Sequence, residues 1–296
     1  MGNTQFGKFQ DFCADSFLPI CNILTANNQP PGAQYVNVNG SGGCVLRGIT
    51  LSNGRYLANI GSILLAGFAI LVTFFLLWRA QRKAAAVGRR EIQMFLLGYL
   101  VIQICEIFTM GGIPLDNDVR KGFTAVHVAA VTATLWILLM NAFVGYQFVD
   151  DGTPMSMGLI GGSALALFIG TGYIALDTAF SWTGYWDDSQ SAPHRHIALY
   201  VLYQLVPLIF MFLFFLLETI LVLRVLGETK PMLYLAAAAV LFAIGQVFMY
   251  VISVHICNPT DGKVNGALFE TLFTLLSVVA IFVFWSSITE DDWPVQ

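Results

Sequence analysis

Residues 58–78 read ANIGSILLAGFAILVTFFLLW. A helix needs roughly 20 apolar residues to cross the hydrocarbon core of a bilayer, and this stretch supplies them. Six further apolar runs follow, at 92–110, 123–148, 155–177, 197–223, 231–254 and 265–286. The short alternating strands of an outer-membrane barrel are absent. Backbone N–H and C=O groups must pair internally in lipid. The pattern therefore predicts an all-α membrane protein, a seven-transmembrane helical bundle over residues 58–286.

Composition agrees. Of 296 residues, 57% are hydrophobic and 11% charged, with 24 Phe and 27 Gly, and mean hydropathy is +0.72. Soluble domains hold about 45–50% apolar and about 25% charged residues. A water-soluble enzyme is excluded. So are a disordered chain, which needs low hydrophobicity, and a nucleic-acid binder, which needs a basic surface. The net charge of −4 adds little, because charge on a membrane protein matters by side.

Residues 1–57 differ. Their Asn, Gln, Gly and Pro clusters (27–31, 37–43) predict loop or a small non-helical cap. No early apolar run of signal-peptide type is present, so the first membrane helix is expected to act as its own uncleaved signal. Orientation follows Lys and Arg. Arg79, Arg82, Lys83, Arg89 and Arg90 follow the first run, and Arg224 and Lys230 follow the fifth. The opposite short loops carry Arg120, Lys121, Arg195 and Lys263. Weighting the dense cluster beside the first helix above Lys8, Arg47 and Arg55 of the long N-terminal segment puts the N-terminus in the lumen and the C-terminus in the cytosol. Cys13, Cys21, Cys44 and Cys257 then all fall on the lumenal side, where oxidation favours disulfides. Three connectivities are open, one of which ties the N-terminal segment to the loop between the last two helices. The acceptable glycosylation sequon, at Asn39, is lumenal too.

Strongly polar side chains inside a bilayer are costly and usually face the bundle interior. The second helix carries Tyr99, Gln103 and Glu106. The third carries His127, Thr134 and Asn141 on one face. Gln204 and Glu218 mark the fifth, Gln246 and Tyr250 the sixth, and Glu270, Thr274 and Ser277 the seventh. Gln103, Glu106, His127, Asn141, Glu218, Gln246 and Glu270 are read as an intramembrane polar network, with Glu106 and His127 level enough to pair. Gly158 and Gly162, four apart on the fourth helix, permit close helix approach.

Catalytic chemistry finds no footing. No helical His pair fixes two zinc ligands on one face, although His194 and His196 share a loop with Asp187 and Asp188. A retinal Schiff base would need a mid-helix Lys at the end of the chain, and Lys263 lies at the border. The third helix ends Val149-Asp150-Asp151 rather than in a receptor's Asp-Arg-Tyr, and no phosphate-binding Walker sequence occurs. No cofactor, metal or catalytic residue is expected.

Several stretches, in order, resemble the fungal chitin synthase export chaperones. They are Phe12-Cys13 with Leu18-Pro19-Ile20-Cys21, then Phe108 to Gly112, then Phe123 to His127 running on through Trp136 and Asn141 to Asp150-Asp151-Gly152-Thr153. The last is Phe284-Trp285-Ser286-Ser287 through Trp293. The resemblance implies a non-enzymatic multi-pass protein of the endoplasmic reticulum membrane. Its expected partner is a chitin synthase, which it escorts out of that compartment and accompanies towards the plasma membrane. Some family members extend well past the last helix, whereas 287–296 is a short acidic tail. Within it, Glu290, Asp291 and Asp292 are a candidate export signal for vesicle-coat machinery. Two alternatives stand beside this reading. One is a lipid or small-solute transporter, which needs a continuous polar channel; the other is a metal-dependent hydrolase, which needs a zinc site.

Overall fold

The computed structural model describes residues 6–24, 44, 46, 49–50, 56–57, 59–83, 85–110, 116–147, 151–188 and 195–289. Asn39, His194, Glu290, Asp291 and Asp292 lie outside the described residues. A short helix, α1 (Gln10–Asp15), comes first, followed by a 3-10 turn (Pro19–Asn22) and a two-residue antiparallel pair, β1 (Ile49–Thr50) with β2 (Tyr56–Leu57). Seven helices long and apolar enough to cross a membrane follow: α2 (Ile60–Arg82), α3 (Arg89–Thr109), α4 (Asn117–Gly145), α5 (Pro154–Phe180), α6 (Ile197–Leu226), α7 (Lys230–Cys257) and α8 (Gly266–Ile288). Each matches one of the seven apolar runs.

Successive helices run in opposite directions, so one end of the bundle gathers the starts of α2, α4, α6 and α8. There Asn59 Nδ2 donates to the Met110 carbonyl and to Asn265 Oδ1, each at 3.3 Å. The N-terminal segment sits on this end. It is not wholly non-helical, as its Gly and Pro content suggested, because part of it is apolar. Phe9, Phe17, Leu18, Ile20, Ile23 and Leu24 are buried against the helix ends. Six-residue helices are unstable alone and take their stability from such packing. Asn22 Nδ2 donates to the Thr109 carbonyl at 3.2 Å. The Phe6 and Phe9 rings meet Tyr200, and Phe12 meets Tyr250 edge-on. Cys13 pairs with Cys21 and Cys44 with Cys257, at Cα separations of 5.7 and 6.0 Å. The second pair fastens this cap to the end of α7.

At the opposite end, Trp285 Nε1 donates to the Val87 carbonyl at 2.8 Å, and Lys83 Nζ to the Ser286 carbonyl at 3.1 Å. Glu91 is fully buried and accepts from the Gly152 N–H and the Ser156 hydroxyl, each at 3.0 Å. Asp151 accepts from the Gly88 N–H at 3.1 Å. The α2–α3, α4–α5 and C-terminal segments are thereby bound together.

Inside the bundle α4 packs on α3, α5 and α6, while α8 packs on α7 and α2. Two glycines set the closest approaches. A Cβ on Gly98 would collide with Thr134 of α4, and one on Gly266 with the Phe248 carbonyl oxygen of α7. Gly158 and Gly162 behave otherwise. A Cβ on either would meet nothing within 4 Å, so the close approach expected of them does not occur within the bundle. They face outward, as do Ala166 and Gly170 at the same four-residue spacing.

Candidate functional site

Two helices depart from regular α geometry on the cap side. In α6, residues Val201–Leu205 form a wide π turn; in α7, Phe248–Ile252 form another. The first has a local cause. Pro207 has no N–H to donate to the Tyr203 carbonyl, and its ring crowds that oxygen, so the helix widens there. The two turns face each other, and the Tyr250 hydroxyl donates to Gln204 Oε1 at 2.7 Å.

Between them lies a cavity of about 370 Å³. Its cap-side end is polar, formed by Glu106, His127, Tyr203, Gln204, Tyr250 and Glu270. His127 Nε2 stands 3.8 Å from Glu106 Oε1. Glu270 Oε1 accepts from Thr274 Oγ1 at 2.8 Å, and Thr271 Oγ1 donates to Glu106 Oε2 at 3.4 Å. Several donors and acceptors here are buried without a hydrogen-bond partner among the described residues, including the Tyr99 hydroxyl, both nitrogens of His127 and Gln204 Nε2. Buried polar groups normally find partners, so such an accumulation is itself informative. The deeper end is apolar, with Phe95, Leu138, Met211 and Ile281 among its walls. Leu18 and Pro19 of the cap close the top.

The polar residues singled out in the sequence do not form one network. Glu106, His127, Gln246 and Glu270 line this cavity. Asn141 and Glu218 line a second, of about 600 Å³, at the far end of the bundle. Gln103 is fully buried but lines neither, and its amide finds no hydrogen-bond partner among the described residues. Helical spacing places residues on one face; it does not say that residues fourteen apart lie some 20 Å apart along the axis. Ile281 touches both cavities, and Phe95, Leu138 and Phe214 stand with it between the polar ends. Among the described residues no continuous polar channel joins the two. Nor do three His, Cys, Asp or Glu side chains there come together as metal donors.

Sequence reading missed Tyr203 and Glu91. Pro207, four residues after Tyr203, was the available signal that α6 opens there. Glu91 was hidden in a charged stretch, beside Arg89 and Arg90, that reads as loop.

Comparison with known proteins bears on the whole chain. A family model described as chitin synthase export chaperone matches residues 5–296. A chitin synthase export chaperone of Coccidioides immitis is 30% identical over 293 residues, covering 97% of this chain and 84% of that protein. One from Aspergillus fumigatus is 29% identical over 288 residues, with 97% and 84% covered. One from Phaeosphaeria nodorum is 30% identical over 288 residues, with 97% and 83% covered. No solved structure matches.

Proposed function

Because the chain belongs to the chitin synthase export chaperone family, we propose that it binds the membrane-embedded part of a chitin synthase and escorts it from the endoplasmic reticulum towards the cell surface, without catalysis of its own. The match over nearly the full length carries this reading.

A physical mechanism fits it. A multi-helix synthase exposes polar and poorly packed helix faces before it assembles. Lipid offers no hydrophobic drive for helix pairing, so a partner must recognise such faces by close packing and hydrogen bonds. The outward strip of Gly158, Gly162, Ala166 and Gly170 lets a client helix approach the α5 backbone closely. The cap is placed in the lumen, with Cys13–Cys21 and Cys44–Cys257 oxidised there and Asn39 available for glycosylation. The basic residues flanking α2 and α3 are placed in the cytosol, with Glu290, Asp291 and Asp292 presented to the vesicle coat.

The test is a mild-detergent pull-down of the tagged full chain from fungal membranes. Near-stoichiometric chitin synthase is expected with the native chain. A Gly158→Leu/Gly162→Leu variant is expected to lose it while keeping its own thermal stability. Full recovery by that variant would remove α5 from the interface. A native chain free of synthase, with and without crosslinking, would overturn the escort reading.

A further inference from the structure

The cap-side cavity is two-faced. Two carboxyl groups, those of Glu106 and Glu270, converge at one end, and among the described residues neither Lys nor Arg lines the cavity. His127, 3% exposed, lines the same region with neither ring nitrogen hydrogen-bonded among the described residues, Nε2 standing 3.8 Å from Glu106 Oε1, and the Tyr99 hydroxyl likewise finds no partner among them. The rings of Tyr203 and Tyr250 flank the acidic end, and the other end is walled by aliphatic and aromatic side chains. The volume falls within the range of about 300–1,000 Å³ typical of small-molecule pockets.

Access is sideways. Leu18 and Pro19 stand over the polar end, whereas Leu208 lines the cavity and is nevertheless 64% exposed on the outside of α6. Phe242 of α7 lines the same cavity. Leu208 and Phe242 lie near the middle of their helices, and α6 and α7 touch only over a short stretch. The opening therefore faces lipid rather than water.

We infer that this cavity is a binding site for a membrane-borne amphiphile bearing a cationic ammonium head and a single alkyl chain, entered between α6 and α7. A cation leaving the interface is costly to desolvate. Here it gains the shared negative charge of the Glu106–Glu270 pair, beside which His127 stands 3.8 Å from Glu106, and tyrosine π faces, while the chain fills an apolar floor on which water would be left unsatisfied. An anionic head would meet the same carboxylates and be repelled. This site is separate from the α5 strip and does not depend on the escort reading.

Dodecylamine is the probe, titrated into the purified full chain in dodecyl maltoside with thermal unfolding followed by intrinsic fluorescence. Dodecanol, dodecyl sulfate and methylammonium are the controls. Dodecylamine is expected to raise the midpoint at a mole fraction at least tenfold below dodecanol, with methylammonium inert. Glu106→Gln/Glu270→Gln is expected to abolish the preference for the amine. Leu208→Trp narrows the lateral opening from a cavity-lining position that is 64% exposed and is expected to weaken amine binding several-fold, which keeps the test open should the carboxylate variant fail to fold. Equal response to dodecanol and dodecylamine, or an unchanged preference in both variants, would overturn the proposal.

Discussion

A methyl group added at Gly266 has nowhere to go. It would drive into the Phe248 carbonyl of the π turn and crowd Ser253, whose hydroxyl accepts from the Gly266 N–H at 3.2 Å. Backbone cannot yield as a side chain can, so Gly266→Ala is expected to destabilise the chain by about 1–3 kcal/mol or more, read as a lowered unfolding midpoint in detergent. Gly98→Ala meets Thr134 instead, and Thr134→Ala in the same chain is expected to recover most of the loss. Gly158→Ala meets open space and is expected to leave the midpoint unchanged or raise it slightly, since Ala is the better helix former by about 1 kcal/mol. All three glycines were visible in the sequence, but only Gly158 stood out, through its spacing from Gly162. Spacing identifies a face and is silent about what lies against it. The same limit applies to the carboxylates: Glu106 and His127 were legible as a pair because they flank one helix-to-helix connection at similar depth. The burial of Glu91 depends on Gly152 and Ser156, more than sixty residues away.

Helices were the most legible level, because roughly 20 apolar residues leave the backbone no alternative in a bilayer. Their irregularities were not. A π turn leaves no hydropathy signal, and Pro207 marks only one of the two that face the cavity. The consequence of that proline can be measured. Restoring an N–H at Pro207→Ala lets α6 close towards regular geometry, which rotates the preceding residues by up to about 100° per residue of register and withdraws Gln204 from Tyr250. In the native chain, Tyr250→Phe is expected to cost about 0.6–2 kcal/mol, the usual worth of a hydrogen bond between membrane helices. In the Pro207→Ala background the same substitution is expected to cost close to nothing. A double-mutant cycle from unfolding midpoints checks this, and equal costs in both backgrounds would show that the proline does not hold the turn open. The short helix α1 was hidden for a different reason. Its residues lie in a segment dominated elsewhere by loop formers, and it is held by burial rather than by propensity.

At the scale of the whole molecule, two properties set the arrangement of the bundle. One is charge asymmetry. Arg79, Arg82, Arg89 and Arg90 cluster at the end away from the cap, so a protease added to sealed endoplasmic reticulum vesicles is expected to remove a C-terminal tag and spare an N-terminal one. The other is the pair of cross-links, which differ greatly in reach. Cys13 and Cys21 are separated by 8 residues, Cys44 and Cys257 by 213. The chain-entropy account makes the longer loop worth roughly twice the shorter, so Cys44→Ser/Cys257→Ser is expected to lower the unfolding midpoint about twice as far as Cys13→Ser/Cys21→Ser. The longer bridge also has a meaning in time. At about 5–20 residues per second of synthesis, Cys44 waits roughly 10–40 s before Cys257 is made, and by then six of the seven long helices have been synthesised. Closure of that one bond is thus a record, written into the chain itself, that synthesis has passed the sixth membrane helix.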